Sequence, residues 1–108
     1  ITFFGGWPLL LDYVASKGGV VAFTRALARE IGKDWVTVNT ISPGAFPTDA
    51  EKIHPNQEKY NQDVLDGQSI KRRGTADDIG NLVVFLAGDT AAFITGQLIQ
   101  IDGGWVMH

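Results

Sequence analysis

Two helix-like segments alternate with two short, β-branched runs, and this alternation most limits the folds open to the chain. Apolar residues recur at helical spacing over 13–31 and again over 75–87. The runs 36–41 and 97–101 are short, rich in branched residues and followed by turns. The order helix, strand, helix, strand predicts an α/β fold, in which right-handed crossovers make the two strands parallel neighbours.

Local signals predict how these elements begin and end. Gly32 follows the first helix where a left-handed C-terminal cap would lie. Thr75 and Asp78 have the spacing of a capping box at the start of the second helix. Residues 1–12 are predicted as a loop that leaves a buried strand. Residues 45–74 are predicted as a mobile excursion with one short helix, of a kind that often covers a site.

Two parallel strands do not make a domain, because parallel sheets contain several strands and are covered by helices on both faces. The chain has one methionine, Met107, and starts with Ile1. We therefore expect residues 1–108 to be a piece of a longer protein, with further strands contributed by sequence outside them.

Composition narrows the classes of function. The 108 residues are 44% hydrophobic with a net charge of −3, so a basic field that would attract nucleic acid or anionic lipid is missing. No apolar run approaches the roughly 20 residues of a membrane span, and the lack of cysteine fits a reducing cytoplasm. His54 and His108 lie far apart, so we expect no metal site and two exposed histidines. The basic run 71–73 is expected to be a solvated cluster or one at the approach to the second helix.

Tyr13 and Lys17 are four residues apart, which places a phenol and an ammonium on one helix face. A phenol stays protonated at neutral pH, and a nearby positive charge stabilises its ionised form. Tyr13 would then donate or accept the proton of a carbonyl/alcohol pair. The same spacing also occurs in ordinary surface helices, so the surrounding residues must decide between the two interpretations.

Those surroundings resemble the short-chain dehydrogenase/reductase family over nearly the whole chain. The resemblance rests, in chain order, on Tyr13-x-x-x-Lys17 with Ser16, Gly18-Gly19-Val20, Phe23–Ala28, Val38-Asn39, Ser42-Pro43-Gly44, Thr48, Arg73-Gly74, Asp78-Ile79, Phe85–Ala87, Ile94–Gln97 and Asp102–Gly104. It implies the C-terminal half of a doubly wound, Rossmann-like parallel-sheet domain. It also implies an NAD(P)-dependent oxidoreductase that moves a hydride between nicotinamide and a secondary alcohol or ketone.

The resemblance further implies catalytic roles. Tyr13 would be the acid/base, and Lys17 would bind the nicotinamide ribose hydroxyls and favour the phenolate. The catalytic serine of the family normally precedes the tyrosine by a spacing that falls one position before Ile1. If the loop is shortened, Thr2 is the candidate, because its hydroxyl can donate to a substrate oxygen.

Cofactor binding is implied for four residues after the first strand. Pro43 and Gly44 would carry the backbone past the nicotinamide, the Phe46 amide would bind its carboxamide, and Thr48 would lie near that group or the phosphates. The glycine-rich phosphate loop does not occur in these residues, so the choice between NAD and NADP stays open.

Two other functions remain open. A lyase or dehalogenase on the same scaffold would open an epoxide with the tyrosine and hold halide in the cofactor pocket, but such relatives have arginine at the position of Lys17. The chain could also be a catalytically inactive fragment or assembly module. The resemblance implies a homodimer or homotetramer, which the apolar tail 105–107 fits.

The substrate is expected to be a small alcohol or ketone. The segments 2–4 and 106–108 look similar to relatives that oxidise aromatic or ring-bearing alcohols, including pyridoxal and phenylethanol dehydrogenases. A group of large apolar residues either lines a pocket for such a ring or forms core: Phe3, Phe4, Trp7, Leu9–Leu11, Phe46 and Trp105.

Overall fold

The computed structural model describes residues 2–108, with the side chain of Phe3 left out of the description. Six regular elements follow in chain order: α1 (Thr2–Gly5), α2 (Leu11–Ile31), β1 (Thr40–Pro43), α3 (Gln57–Gly67), α4 (Ala76–Ala87) and β2 (Leu98–Ile101). Short 3₁₀ turns occupy Gly32–Asp34, Asp49–Ile53 and Asp89–Ala91.

The two strands form a parallel pair, as the sequence predicts. Thr40 lies opposite Leu98 and Pro43 opposite Ile101. The connection between the strands contains α3 and α4, the crossover that a parallel pair requires. The architecture is therefore α/β, as predicted.

A stripe of three buried residues packs α2 onto the sheet. Val21, Thr24 and Ala28 are each less than 8% exposed and recur at helical spacing. The Thr24 and Thr40 hydroxyls are hydrogen bonded, which fixes the middle of α2 against the start of β1. This packing sets the position of the first turns of α2 relative to the end of the strand.

The first strand begins later than the sequence predicts. The expected strand over 36–41 is wrong at its start, because β1 begins at Thr40. The Val38 N–H donates to the Thr95 hydroxyl at 2.9 Å, and the Val38 carbonyl accepts from the Gly96 N–H at 2.7 Å. These partners belong to the turn before β2, so the backbone before Thr40 pairs with a turn instead of a strand.

Two further boundaries differ from prediction. Gly32 is not a left-handed cap, because its φ is −59° and the helix continues into a 3₁₀ turn. The left-handed residue that ends this turn is Trp35, with a φ of 62°. Residues 2–5, predicted as loop, form α1, whose turn is closed by the Gly6 N–H donating to the Thr2 carbonyl at 3.1 Å. Ile1 lies outside the described residues.

Segment 45–74 has the short helix that the sequence predicts, together with a 3₁₀ turn. It contains α3, capped where the Asn56 side chain accepts from the Lys59 N–H at 2.9 Å. The Ser69 N–H donates to the Gly103 carbonyl at 2.9 Å, which attaches the segment to the turn after β2. Among the residues described, no helix combines the length and the apolarity that crossing a membrane requires.

The predicted capping box at the start of α4 is confirmed. The Asp78 carboxylate accepts from the Thr75 N–H at 2.7 Å and forms a two-pronged pair with the Arg72 guanidinium at 2.7 and 2.8 Å. The Arg72 hydrogen bonds, followed by those from Thr75, hold the pKa of Asp78 well below its ordinary value of 3.8. Ionisation of Asp78 therefore raises the free energy of unfolding.

This linkage predicts a pH-dependent effect of Asp78→Asn. Because the folded pKa is lowered, the stabilisation by Asp78 is present above pH 3.8 and is lost as the pH falls through the folded pKa. Urea unfolding should show a lower free energy of unfolding for the variant at about pH 7, with the gap to wild type narrowing at about pH 3. Asp77→Asn, in the same helical turn, is the control, and a gap that is independent of pH would contradict the linkage.

Candidate active site

The structure places Tyr13 and Lys17 side by side in the first turns of α2. The Lys17 Nζ lies 5.1 Å from the centroid of the Tyr13 ring, and Tyr13 is 47% exposed. The helix starts at Leu11, so a spacing of four residues brings both side chains to one face. The predicted juxtaposition is confirmed.

Both side chains open onto a cavity of about 360 Å³ beside the C-terminal end of β1. The other lining residues come from α1, α2 and the two strands: Thr2, Phe4, Val20, Val21, Thr40–Gly44 and Leu98. The edge formed by the carboxyl ends of parallel strands is where open α/β sheets bind ligands. The predicted residues Thr2, Tyr13 and Lys17 therefore share one cavity.

The donor set of this cavity fits a ligand rich in hydroxyl groups. Within the part of the chain that the structure describes, Lys17 forms no ion pair, and its side chain, which carries three N–H donors, lines the cavity. The hydroxyls of Thr2 and Tyr13 add groups that can both donate and accept. A ribose carrying two free hydroxyls matches this chemistry, and across residues 2–108 no cluster of side chains could hold a metal ion.

The four residues predicted to contact cofactor after β1 divide between two cavities. Pro43 and Gly44 line the Tyr13 cavity and also a second cavity of about 430 Å³, whereas Phe46 and Thr48 line the second and not the Tyr13 cavity. The Phe46 N–H donates to the Gly44 carbonyl at 3.0 Å. Its amide is thus engaged within its own loop, instead of pointing freely toward a carboxamide.

Gly44 is required by the approach of the two strand ends. A Cβ atom at this position would lie 2.7 Å from the Asp102 Cβ and 2.8 Å from its Cα. The Asp102 side chain is itself fixed, because its oxygens accept from the Gly104 and Val106 N–H groups at 2.9 Å. The predicted turn of unusual backbone angles is confirmed here, with a φ of 67° at Gly103.

A partly buried ion pair between Arg73 and Glu51 was not predicted from the sequence. Their side chains are 17% and 14% exposed. The guanidinium also donates to the Ala45 carbonyl at 3.1 and 3.3 Å, and to the Asn61 Oδ1 at 3.1 Å. Of the two alternatives predicted for the run 71–73, a solvated cluster is wrong for Arg73, which joins the loop after β1, a 3₁₀ turn and α3, whereas Arg72 lies at the approach to α4 and pairs with Asp78.

Two aromatic rings adjoin this ion pair. The His54 ring stacks on Tyr60 with centroids 4.0 Å apart and planes at 10°, so His54 is half-buried and not exposed as predicted. The Arg73 guanidinium lies 5.8 Å from the Tyr60 ring centroid. Burial raises the pKa of Tyr60, and the negative charge of Glu51 raises it further. His54, Tyr60 and Glu51 all line the second cavity.

The large apolar residues predicted to line a pocket or to form core differ in position and exposure. Leu9 is fully exposed and Leu11 is 85% exposed, so neither is buried among the described residues. Phe4 lines the Tyr13 cavity. The centroids of the Phe4 and His108 rings lie 4.0 Å apart. The Trp7 and Trp105 rings lie 6.5 Å apart. The prediction for the Phe3 side chain lies outside what the structure describes.

The sequence matches a family model described as enoyl-(acyl carrier protein) reductase over residues 3–106. It is 38% identical over 96 residues to an uncharacterised short-chain type dehydrogenase/reductase, y4mP, of Sinorhizobium fredii, covering 89% of this chain and 38% of that protein. The chain belongs to the short-chain dehydrogenase/reductase family.

Similarity to a named enzyme and to a solved structure supports the same family membership. The 3-oxoacyl-(acyl-carrier-protein) reductase FabG of Pseudomonas aeruginosa is 41% identical over 97 residues, which cover 89% of this chain and 38% of the enzyme. The structure of 4-hydroxyisoleucine dehydrogenase complexed with NADH and succinate superposes with a TM-score of 0.76 at 36% identity, covering 87% of this chain and 37% of that one. The fold is thus a portion of a Rossmann-like domain, and the chain spans about two fifths of the length of these relatives.

Proposed function

We propose that the protein is an NAD(P)-dependent oxidoreductase that moves a hydride between nicotinamide and a secondary alcohol or ketone. The observation that carries this proposal is the Tyr13–Lys17 pair on one face of α2, open to a cavity at the C-terminal end of β1. The similar 4-hydroxyisoleucine dehydrogenase is complexed with NADH, and FabG is named a reductase, which supports the same chemistry.

One side chain of the cavity would transfer a proton, and others would bind the cofactor or the substrate. When bound, NAD(P) supplies the hydride donor or acceptor. Tyr13 would hold the proton that moves to or from the substrate oxygen at its hydroxyl. Lys17 would stabilise the Tyr13 phenolate by its charge and donate to the ribose hydroxyls. Thr2 lines the same cavity, and its hydroxyl would donate to the substrate oxygen.

The residues after β1 would contact the nicotinamide side. Pro43 and Gly44 border both cavities, so the backbone there would pass the ring. Thr48 would lie near the carboxamide or the phosphates. The Phe46 amide would bind the carboxamide only by releasing the Gly44 carbonyl, which makes this contact dependent on a local change of the loop.

The proposal also includes the class of substrate and the oligomeric state. The reactant would be a small alcohol or ketone, with the aromatic walls of the second cavity favouring a ring-bearing one, as in pyridoxal and phenylethanol dehydrogenases. A homodimer or homotetramer would cover large apolar side chains that are exposed on α2 and α4, such as Phe23 at 64% and Val84 at 73%.

Replacing Lys17 with methionine tests the binding role. In the full-length protein we expect Lys17→Met to raise the Kd for NADH and NADPH by about 10- to 100-fold, since hydrogen bonds from a charged donor contribute roughly 1.5–3 kcal/mol. Fluorescence titration measures this Kd, and kcat for an alcohol panel should fall as well.

Lys33→Met is the matched control, because Lys33 is exposed in the 3₁₀ turn beyond the other end of α2. It should leave both cofactor constants within about twofold, a change below 0.5 kcal/mol. Unchanged NADH affinity in Lys17→Met, or a wild-type protein that binds neither dinucleotide, would contradict the proposed function.

A further inference from the structure

The second cavity is bordered by a segment that Arg73 and Gln57 attach to the rest of the fold, since the Gln57 Nε2 donates to the Glu51 and His54 carbonyls at 2.8 and 2.7 Å. Residues 45–54 leave the end of β1 and provide most of the cavity wall, including Phe46, Thr48 and His54. Because Pro43 and Gly44 line both cavities, this wall adjoins the site of the Tyr13 hydroxyl. Any displacement of the segment would therefore change the space beside the reacting groups.

Arg73 contacts this segment at both of its ends. Near the start of the segment, the guanidinium donates twice to the Ala45 carbonyl. Near the end, it pairs with the Glu51 carboxylate in the 3₁₀ turn. A fixed planar fork with five N–H donors can satisfy these partners together, which a lysine ammonium with its flexible stem cannot do with the same geometry.

A second contact aligns the same wall. The Phe46 ring lies against Gly74, where a Cβ atom would be 2.4 Å from the Phe46 Cε1. Arg73 and Gly74 thus position Phe46 through its backbone and its ring. The guanidinium also holds Asn61 and lies over Tyr60, which ties α3 to the segment.

We propose that Arg73 is a positioning residue that holds residues 45–54 as the substrate-binding wall beside Tyr13. This inference rests on the proposed function, since the wall is assigned to the alcohol or ketone. The guanidinium itself lines neither cavity, so it acts through Ala45, Glu51 and Phe46 and not by touching substrate.

The test compares two neighbouring arginines in the full-length protein. Arg73→Met should raise the substrate KM by on the order of 10- to 100-fold, because small misplacements of a binding wall carry effects of that size. The NADH Kd should rise by less than the substrate KM, because Lys17 is not held by Arg73, whereas Phe46 and Thr48, assigned to the carboxamide side, lie within residues 45–54. Arg73→Lys keeps the charge for Glu51 and should show a smaller rise in KM.

Arg72→Met is the matched control. The Arg72 guanidinium donates to Asp78 at the exposed start of α4 and to the Arg73 carbonyl at 3.0 Å, and within the described residues it makes no hydrogen bond or ion pair to residues 45–54, so the variant should lose stability with a much smaller change in substrate KM than Arg73→Met. A merely structural role for Arg73 would lower the active fraction and kcat while leaving KM at the wild-type value. That result would overturn the inference.

Hydrogen exchange gives a readout that does not depend on turnover. Amides of residues 45–54 should exchange faster in Arg73→Met than in Arg72→Met, whereas those of α2 should be alike in both variants. Equal exchange over 45–54 would overturn the positioning role. A wild-type protein without NAD(P)-linked turnover would contradict the proposed function, whereas normal turnover with an unchanged KM in Arg73→Met would contradict this inference alone.

Discussion

Tyr13→Phe should lower kcat/KM for alcohol oxidation by about 10²- to 10⁴-fold, the range that a positioned acid/base group contributes. The substitution removes one oxygen from a side chain that is 47% exposed and leaves its ring against the Lys17 ammonium. Packing and the cation–ring contact are therefore retained, and only the group that carries the proton is lost. Absorbance of NAD(P)H during steady-state turnover of the full-length protein measures the effect.

Cofactor binding separates this loss from a structural one. Because Lys17 stays in place, the NADH Kd of Tyr13→Phe should remain within about threefold of wild type. Ser16→Ala is the matched control. It removes a hydroxyl that lies one turn along the same helix, and the hydrogen bond of this hydroxyl goes to the Tyr13 carbonyl, at 2.7 Å. A Tyr13→Phe enzyme with near wild-type kcat would contradict the role proposed for the phenol.

The parts of the fold that could be predicted are those governed by local patterns. The spans of α2 and α4, the capping box and the parallel pairing all follow from periodicity and turn residues within a few positions. The start of β1 could not be predicted in this way. The Asn39 side chain donates to the Ile94 carbonyl at 2.8 Å and accepts from the Gln97 N–H at 3.1 Å, and these partners lie more than 50 residues away.

The candidate site likewise has a part that could be predicted from the sequence and a part that could not. Tyr13 and Lys17 are visible because a helix converts a spacing of four into a shared face. The partners of Arg73 lie 22 residues away at Glu51 and 28 away at Ala45, so the tertiary fold alone brings them together. In the sequence, Arg73 is one of three adjacent basic residues, and nothing local distinguishes a buried cation from a solvated one.

Gly44→Ala should have the second large effect, on stability and activity together. The added methyl would lie 2.7 and 2.8 Å from the Asp102 Cβ and Cα, distances that nonbonded carbon atoms do not tolerate. The Gly44 N–H also donates to the Ile101 carbonyl at 3.0 Å, so the backbone cannot withdraw without losing a hydrogen bond at the end of the sheet. We expect the free energy of unfolding to fall by about 3 kcal/mol, at the upper end of overpacking effects.

Gly80→Ala provides the matched control for this substitution. Gly80 lies inside α4, where an added Cβ meets no atom within 4 Å, so alanine should raise the free energy of unfolding by roughly 0.5–1 kcal/mol. Urea unfolding of both variants gives the comparison, and NADH titration reports the cavity that Gly44 borders. Equal stability of Gly44→Ala and wild type would mean that the strand ends separate freely. Because Gly44 lines both cavities, the conclusion that the approach of the strand ends requires glycine beside the site would then be wrong.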